Sequence, residues 1–172
     1  MKTITINKLG QYVDQEVEIK GWVYNRRSVG KIWFLILRDG TGLLQCVVVN
    51  GESDSDTFDL EQKINQEDSV IVTGTVKKEP RAVGGYELGV KQISVVNHTT
   101  KEYPISNKEH GPDFLMSNRH LWLRSKRQNA TMKIRHQVIK AIRDYFDNND
   151  FILIDSPIFT GNSVEGTTTL FE

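Results

Sequence analysis

The sequence predicts a mainly β protein, a five-stranded Greek-key barrel followed by an incomplete α+β segment. Three observations carry that reading. The stretch Gly21 to Val49, GWVYNRRSVGKIWFLILRDGTGLLQCVVV, reads as consecutive strands broken at Ser28-Val29-Gly30 and at Asp39-Gly40-Thr41-Gly42, where residues that tolerate positive φ cluster. A polar loop and a short helical pattern, about Thr57 to Gln66, come next. Two further strand patterns follow, Ser69 to Lys77 and Tyr86 to Val96. Three strands, a helix and two strands is the order of an OB-fold, whose strand 2–3 face binds oligonucleotides and oligosaccharides.

Taken in order, Thr3 to Val13 is a leader with a helical turn near Lys8 to Val13 that closes one end of the barrel. In the first barrel strand, Glu16 to Tyr24, Val17, Ile19 and Val23 alternate with polar partners, the period of a half-buried strand. The second and third strands, Lys31 to Arg38 and Leu43 to Val49, are apolar on both faces and predict the wall of a closed barrel or a covered sheet. The helix offers Phe58, Leu60 and Ile64 as its large apolar residues. The loop Glu79 to Gly85 is long enough to overhang the barrel face. In the fifth strand Tyr86, Leu88 and Val90 share one parity and Ile93 and Val95 the other, which a bulge near Lys91-Gln92 reconciles.

Composition changes at Asn97 to Pro112, a polar stretch with two of the four prolines and no sustained period. The expected organisation is a barrel over residues 1–98, a hinge over 99–116 and a second domain over 117–172. Ser125 reads as the N-cap of a helix from Lys126 to Asn148. Its apolar stripe is Ala130, Ile134, Val138, Ile139, Ile142, Tyr145 and Phe146. Phe151 to Ile154 reads as a short buried strand stopped at Ser156-Pro157. One helix and one strand cannot enclose a core, so the second domain is expected to be incomplete.

Charge and cysteine content bound the function classes. The 22 basic and 22 acidic residues give zero formal net charge, so no bulk field advertises a nucleic-acid partner, although the placement of charge matters more than its sum. The single cysteine, Cys46, lies in an apolar strand and reads as a small core residue, which excludes a disulfide framework. No apolar run reaches the ~18 residues of a membrane span, and Met1-Lys2-Thr3 leads into no signal-peptide core. A soluble, cytoplasmic protein with no membrane partner is expected. His110, His120 and His136 lack metal-site spacing and no cysteine pair accompanies them, so no bound metal is expected.

On the second strand Phe34 is either barrel core, with Ile32 and Ile36 on its parity, or an exposed platform for a splayed base. Gln45 is the lone polar residue among Leu43, Leu44, Cys46, Val47 and Val48. An inward amide left unpaired costs ~1–3 kcal/mol, which favours an outward, base-reading Gln45. Arg26 and Arg27 precede a turn and are ordinary solvated charges or, at the mouth of an OB face, partners for phosphates and base planes. Glu87 reads as a solvent-facing strand residue or as an acceptor for base N–H groups. Lys77, Lys78 and Arg81 offer phosphate-side charge or simple solubility.

GWVYNRR…FLILRDGTGLLQ resembles the barrel motif of one class II aminoacyl-tRNA synthetase subclass, which holds the asparaginyl, aspartyl and lysyl enzymes. Helix 126–148 followed by FILIDSPIF resembles motif 1, the helix and strand of the dimer interface, and the resemblance puts Ile134, Val138, Ile142 and Pro157 there. YPISNKEH and FLMSNRHLWLRS resemble the asparaginyl members, where the others read closer to RYLDLR. The resemblance implies ATP-dependent attachment of asparagine to tRNA(Asn) through an adenylate, in a cytoplasmic homodimer using ATP and Mg²⁺. It implies that Phe34 stacks on the middle anticodon base, that Glu87 contacts the first anticodon base, and that Arg26 and Arg27 lie against the anticodon loop. Ser163-Val164-Glu165-Gly166 resembles the loop whose glutamate, here Glu165, holds the ammonium of the amino acid. The arginine-bearing motifs 2 and 3 do not occur before Glu172, so no catalytic residue is assigned and the chain alone is expected to be inactive. Two rival readings are an aspartyl-tRNA synthetase that also charges tRNA(Asn), and a stand-alone OB nucleic-acid binder.

Overall fold

The computed structural model describes residues 1–106 and 108–157. A two-residue strand, β1 (Lys2–Thr3), pairs parallel with the long β2 (Glu16–Val29). Between them Ile6–Gln11 forms a 3-10 helix in place of the expected helical turn at Lys8 to Val13. Ile6 and Leu9 are three residues apart, so they eclipse on a 3-10 helix and both enter the core. Its first N–H, on Ile6, donates to Asp39 Oδ2 at 2.8 Å.

Besides β1, strand β2 serves two longer neighbours. Glu16 to Trp22 pair antiparallel with β5 (Ser69–Lys78), and Trp22 to Val29 pair antiparallel with β3 (Ile32–Arg38). Tyr24 is the extra residue between the pairs Val23–Leu37 and Asn25–Ile36, and this bulge turns the strand from one partner to the other. The strand therefore runs five residues past its expected end at Tyr24. The turn narrows to Gly30-Lys31, where Gly30 takes the positive φ (62°) that the first position of a two-residue hairpin demands.

Strand β4 (Leu43–Val49) pairs antiparallel with β3 and parallel with β6 (Tyr86–Asn97), which pairs antiparallel with β5 and closes the barrel. Lys91 is the bulged residue of β6, since Gln92 faces Thr73 while Val90 faces Gly74. At this crossing a Cβ on Gly74 would lie 2.3 Å from the Gly89 carbonyl oxygen, so a larger residue cannot follow the same path. The bulge frees two backbone groups. Lys91 C=O accepts from Asp54 N–H at 2.9 Å, and Ile93 N–H donates to buried Thr57 Oγ1 at 2.9 Å. These bonds fasten α1 (Ser55–Asp59) to the barrel. The expected helix from Thr57 to Gln66 is shorter and starts earlier, continuing as a 3-10 turn at Leu60–Gln62. Three large apolar residues cannot sustain a longer amphipathic stripe, and the tighter turn delivers Ile64, fully buried, to the core.

The core is the inward row of every barrel strand: Val17, Ile19 and Val23 from β2, Trp33, Leu35 and Leu37 from β3, Leu44, Cys46 and Val48 from β4. Val70, Val72 and Val76 from β5 and Leu88, Val90 and Ile93 from β6 continue it, and Ile4, Ile6, Leu9 and Ile64 join it from outside the barrel strands. Burial pushes the Cys46 thiol far above its ordinary pKa, so it is a packing residue.

The first compact unit spans Met1–Ser106 and the second Asn107–Glu172. In the second, α2 (Pro112–Ser117) and α3 (Arg119–Trp122) precede α4 (Lys126–Asp147). Ser125 Oγ caps α4 by accepting from Gln128 N–H at 3.4 Å. Phe151 to Ile154 is not a buried strand here: it carries no strand assignment, and Ile152 and Ile154 are 86% and 82% exposed. A strand needs a hydrogen-bonded neighbour, and among the described residues of this unit there is none.

Candidate nucleic-acid interface

Strict alternation along the strands sets which side chains leave the core. On β3, Trp33, Leu35 and Leu37 point in, so Ile32, Phe34 and Ile36 stand on the outer face, half-buried. On β4 the outward residues are Leu43, Gln45, Val47 and Val49. On β6, Glu87 and Gly89 flank inward Leu88. Phe34 is therefore a surface aromatic and no part of the core.

Register then brings distant positions together. One row across the sheet is Asn25, Ile36, Gln45, Glu87 and Lys77; the next is Arg27, Phe34, Val47 and Gly89. In the first row Gln45 Nε2 donates to Glu87 Oε2 at 3.3 Å. In the second the Arg27 guanidinium lies 4.6 Å over the centroid of the Phe34 ring, a cation–π contact. Gly89 leaves the floor open beside Phe34 and Val47, and a Cβ there would come within 3.5 Å of Lys77 Nζ. Arg27, Phe34, Gln45, Glu87 and Lys77 thus share one face. Such a face supplies an aromatic plane for stacking, an amide and a carboxylate for base edges, and two cations for phosphates.

Arg26 does not join them. It faces Leu35 on the inward parity of β2, and its Nη1 donates to the Glu61 carbonyl on the other side of the hairpin. The Glu79 to Gly85 loop curls on itself, with Glu79 N–H donating to Gly85 C=O at 3.0 Å and Val83–Gly85 lying against β4. Arg81 is exposed on that loop. Ile134, Val138, Ile142 and Pro157 are all exposed, and Glu165 lies outside the described residues. Among the described residues no cluster of His, Cys, Asp or Glu is placed to hold a metal, and no helix is long and apolar enough to cross a membrane.

Two features of this region had no clear signal in the sequence. One is the place of Asn25, Ile36 and Gly89 in the two rows, which depends on strand register. The other is Asp68, whose fully buried carboxylate accepts from Asn65 N–H (2.9 Å), Thr99 N–H (2.7 Å) and Thr99 Oγ1 (3.1 Å) and pairs with His98 Nδ1 (2.8 Å). Burial pushes this carboxyl up, but the hydrogen bonds from Asn65, Thr99 and His98 outweigh it and hold the pKa below the ordinary aspartate value.

Residues 17–96 match the OB-fold nucleic acid binding domain family, and residues 111–172 match the tRNA synthetases class II (D, K and N). The C-terminal part of the chain thus resembles the class II tRNA synthetases of the D, K and N group. Within that group the chain is 54% identical, over all 172 residues, to the asparagine–tRNA ligase of Desulforamulus reducens, and covers 40% of that protein. It is 50% identical over 169 residues to the asparagine–tRNA ligase of Thermus thermophilus, covering 39% of it. The chain thus spans about two-fifths of the curated relatives it matches. Among solved structures it is similar to asparaginyl-tRNA synthetase from Pyrococcus horikoshii complexed with asparaginyl-adenylate, with TM-score 0.82 and 34% identity over 98% of this chain and 39% of that one. A putative aspartyl-tRNA synthetase from Leishmania major is also similar, with TM-score 0.78 and 26% identity over 90% of this chain and 34% of that one.

Proposed function

We propose that this chain is part of a class II synthetase and reads the anticodon of tRNA(Asn) for an enzyme that joins asparagine to that tRNA through an adenylate. The observation that carries the reading is the single outer face on which Phe34 stands beside Arg27, and Gln45 pairs with Glu87. Gln45 lies one strand over and one side-chain row along from Phe34, so a base stacked on Phe34 and a base read by the Gln45–Glu87 pair fit adjacent nucleotides. The curated relatives matched at 47–54% identity are asparagine–tRNA ligases, which favours asparagine over the aspartyl alternative.

The division into residues 1–98, 99–116 and 117–172 assigns the barrel to RNA reading, the hinge to its attachment and the remainder to the catalytic side. ATP, Mg²⁺ and asparagine are the remaining partners of the reaction. Adenylate formation places charge on the departing pyrophosphate, which Mg²⁺ and arginines neutralise when present. Among residues of this chain, Glu165 is the proposed contact to the asparagine ammonium. Arg26 is a proposed tRNA contact through phosphate, from the far side of the β2–β3 hairpin. A cytoplasmic homodimer is the proposed assembly, formed through residues 126–157.

The test is fluorescence anisotropy of a labelled tRNA(Asn) anticodon stem–loop against the 172-residue chain, alongside stem–loops altered at each anticodon base. Preference for the asparagine anticodon supports the reading. Equal affinity for all sequences overturns it in favour of a non-specific OB binder. The same chain is expected to give no asparagine-dependent exchange of pyrophosphate into ATP, and robust exchange overturns the division of labour.

A further inference from the structure

A second polar cleft, of about 480 Å³, lies on the first unit, lined by Arg26, Asn65, Gln66, Thr100, Lys101 and Tyr103 among others. We propose that it binds phosphodiester oxygens of the same RNA whose bases occupy the Phe34 face; the inference rests on the anticodon-reading proposal above. Its walls come from three places in the chain: β2, the turn before β5, and the segment that leaves β6.

The walls are tied together before any ligand arrives. The buried Asp68 carboxylate holds Asn65 N–H with one oxygen and Thr99 N–H and hydroxyl with the other. It therefore joins the 65–66 wall to the 99–101 wall. Arg26 is oriented by one bond from Nη1 to the Glu61 carbonyl, and a guanidinium has four further N–H donors. Two cations, Arg26 and Lys101, face one carboxylate, Glu102, and the Asn65 and Gln66 amides and the Thr100 hydroxyl add neutral donors. Donor-rich, mildly positive and tied together by Asp68, the lining matches phosphate oxygens.

Continuity with the reading face selects RNA as the source of the phosphate. Arg26 and Arg27 are consecutive and project to opposite faces of β2 beyond its pairing with β5, where one edge of the strand is open. An RNA strand whose base covers Phe34 can pass over that edge and leave its backbone beside Arg26.

The test uses the full 172-residue chain, with Arg26→Ala, Lys101→Ala and Phe34→Ala, titrated with the asparagine anticodon stem–loop over a range of salt concentrations. Phosphate contacts predict that Arg26→Ala and Lys101→Ala each weaken binding ~3- to 10-fold, equally for every loop sequence, and lower the salt slope by about 0.7–0.9. Phe34→Ala changes affinity and leaves the slope unchanged. Circular dichroism melts certify folding, and Arg26→Lys, which keeps the charge, is expected to restore most of the slope. Unchanged affinity and slope in both cleft variants, with sequence preference intact, overturns the cleft and spares the reading face. Loss of sequence preference on Arg26→Ala also overturns it, as does saturable binding of inorganic phosphate that does not compete with the stem–loop. Absence of any sequence preference in the unaltered chain identifies a failure of the anticodon reading instead.

Discussion

The Arg27 guanidinium sits 4.6 Å from the centre of the Phe34 ring, on the outer face of a strand whose inner face carries fully buried Trp33. Adjacent aromatic residues of one strand therefore stand in different environments. Phe34→Ala is expected to weaken binding of the anticodon stem–loop by ~1–3 kcal/mol, the usual worth of one base–aromatic stack, with little change in melting temperature. Trp33→Ala is expected to cost ~3–5 kcal/mol of stability by leaving a core cavity. Paired anisotropy titrations and chemical denaturation of the two variants check the contrast. A Phe34→Ala chain that unfolds would place the ring in the core after all.

Gln45 and Glu87 form a donor–acceptor pair between parallel neighbouring strands, and a base read there, as proposed, would compete with or extend that bond. Glu87→Ala is expected to alter which base is preferred at one anticodon position, by ~1.5–3 kcal/mol, the range for hydrogen bonds to a charged group. Other positions should be read as before. Titration with stem–loops varied one base at a time measures this, and a uniform loss across all of them would assign Glu87 to general electrostatics.

Asp68 makes stability depend on acid. Its folded pKa lies below the ordinary value, so its contribution is fully present above the unfolded aspartate pKa of about 3.9 and is lost as pH falls through the folded value. Asp68→Asn leaves one oxygen where there were two, and is expected to destabilise the barrel by ~1–3 kcal/mol at pH 7. The gap between the two proteins should narrow below about pH 4. Urea denaturation from pH 7 down to pH 3 follows it, and a gap that stays constant with pH would contradict the role of the charge.

The α4 stripe predicts association. Ile134, Val138 and Ile142 are exposed, and Ile139, Ile142, Phe146, Phe151 and Leu153 line an apolar groove of about 510 Å³. Apolar surface of this kind is unfavourable in water. The 172-residue chain is expected to self-associate, and Ile142→Asp to raise the dissociation constant at least ~10-fold, about 1.4 kcal/mol. Sedimentation velocity across a concentration series distinguishes this from a chain that is monomeric throughout.

The sequence by itself determined the barrel's strands, their order and the Ser125 cap, because two-residue periodicity, turn residues and caps are local signals. It also marked Gln45, a lone amide in an apolar strand. It left Phe34 between two faces, because β3 is apolar on both, and parity alone does not say which side is the core. Tertiary structure decided that by closing the barrel around Trp33, Leu35 and Leu37. It also sent Arg26 and Arg27 to opposite sides, through the bulge at Tyr24 and the register beyond it. The Gln45–Glu87 pair and the Asp68 network join residues 42 and 31 positions apart, so they exist only once the strands are in register. Phe151 to Ile154 shows the converse limit: an apolar pattern predicts a strand, but pairing needs a neighbour, and none stands beside it among the described residues.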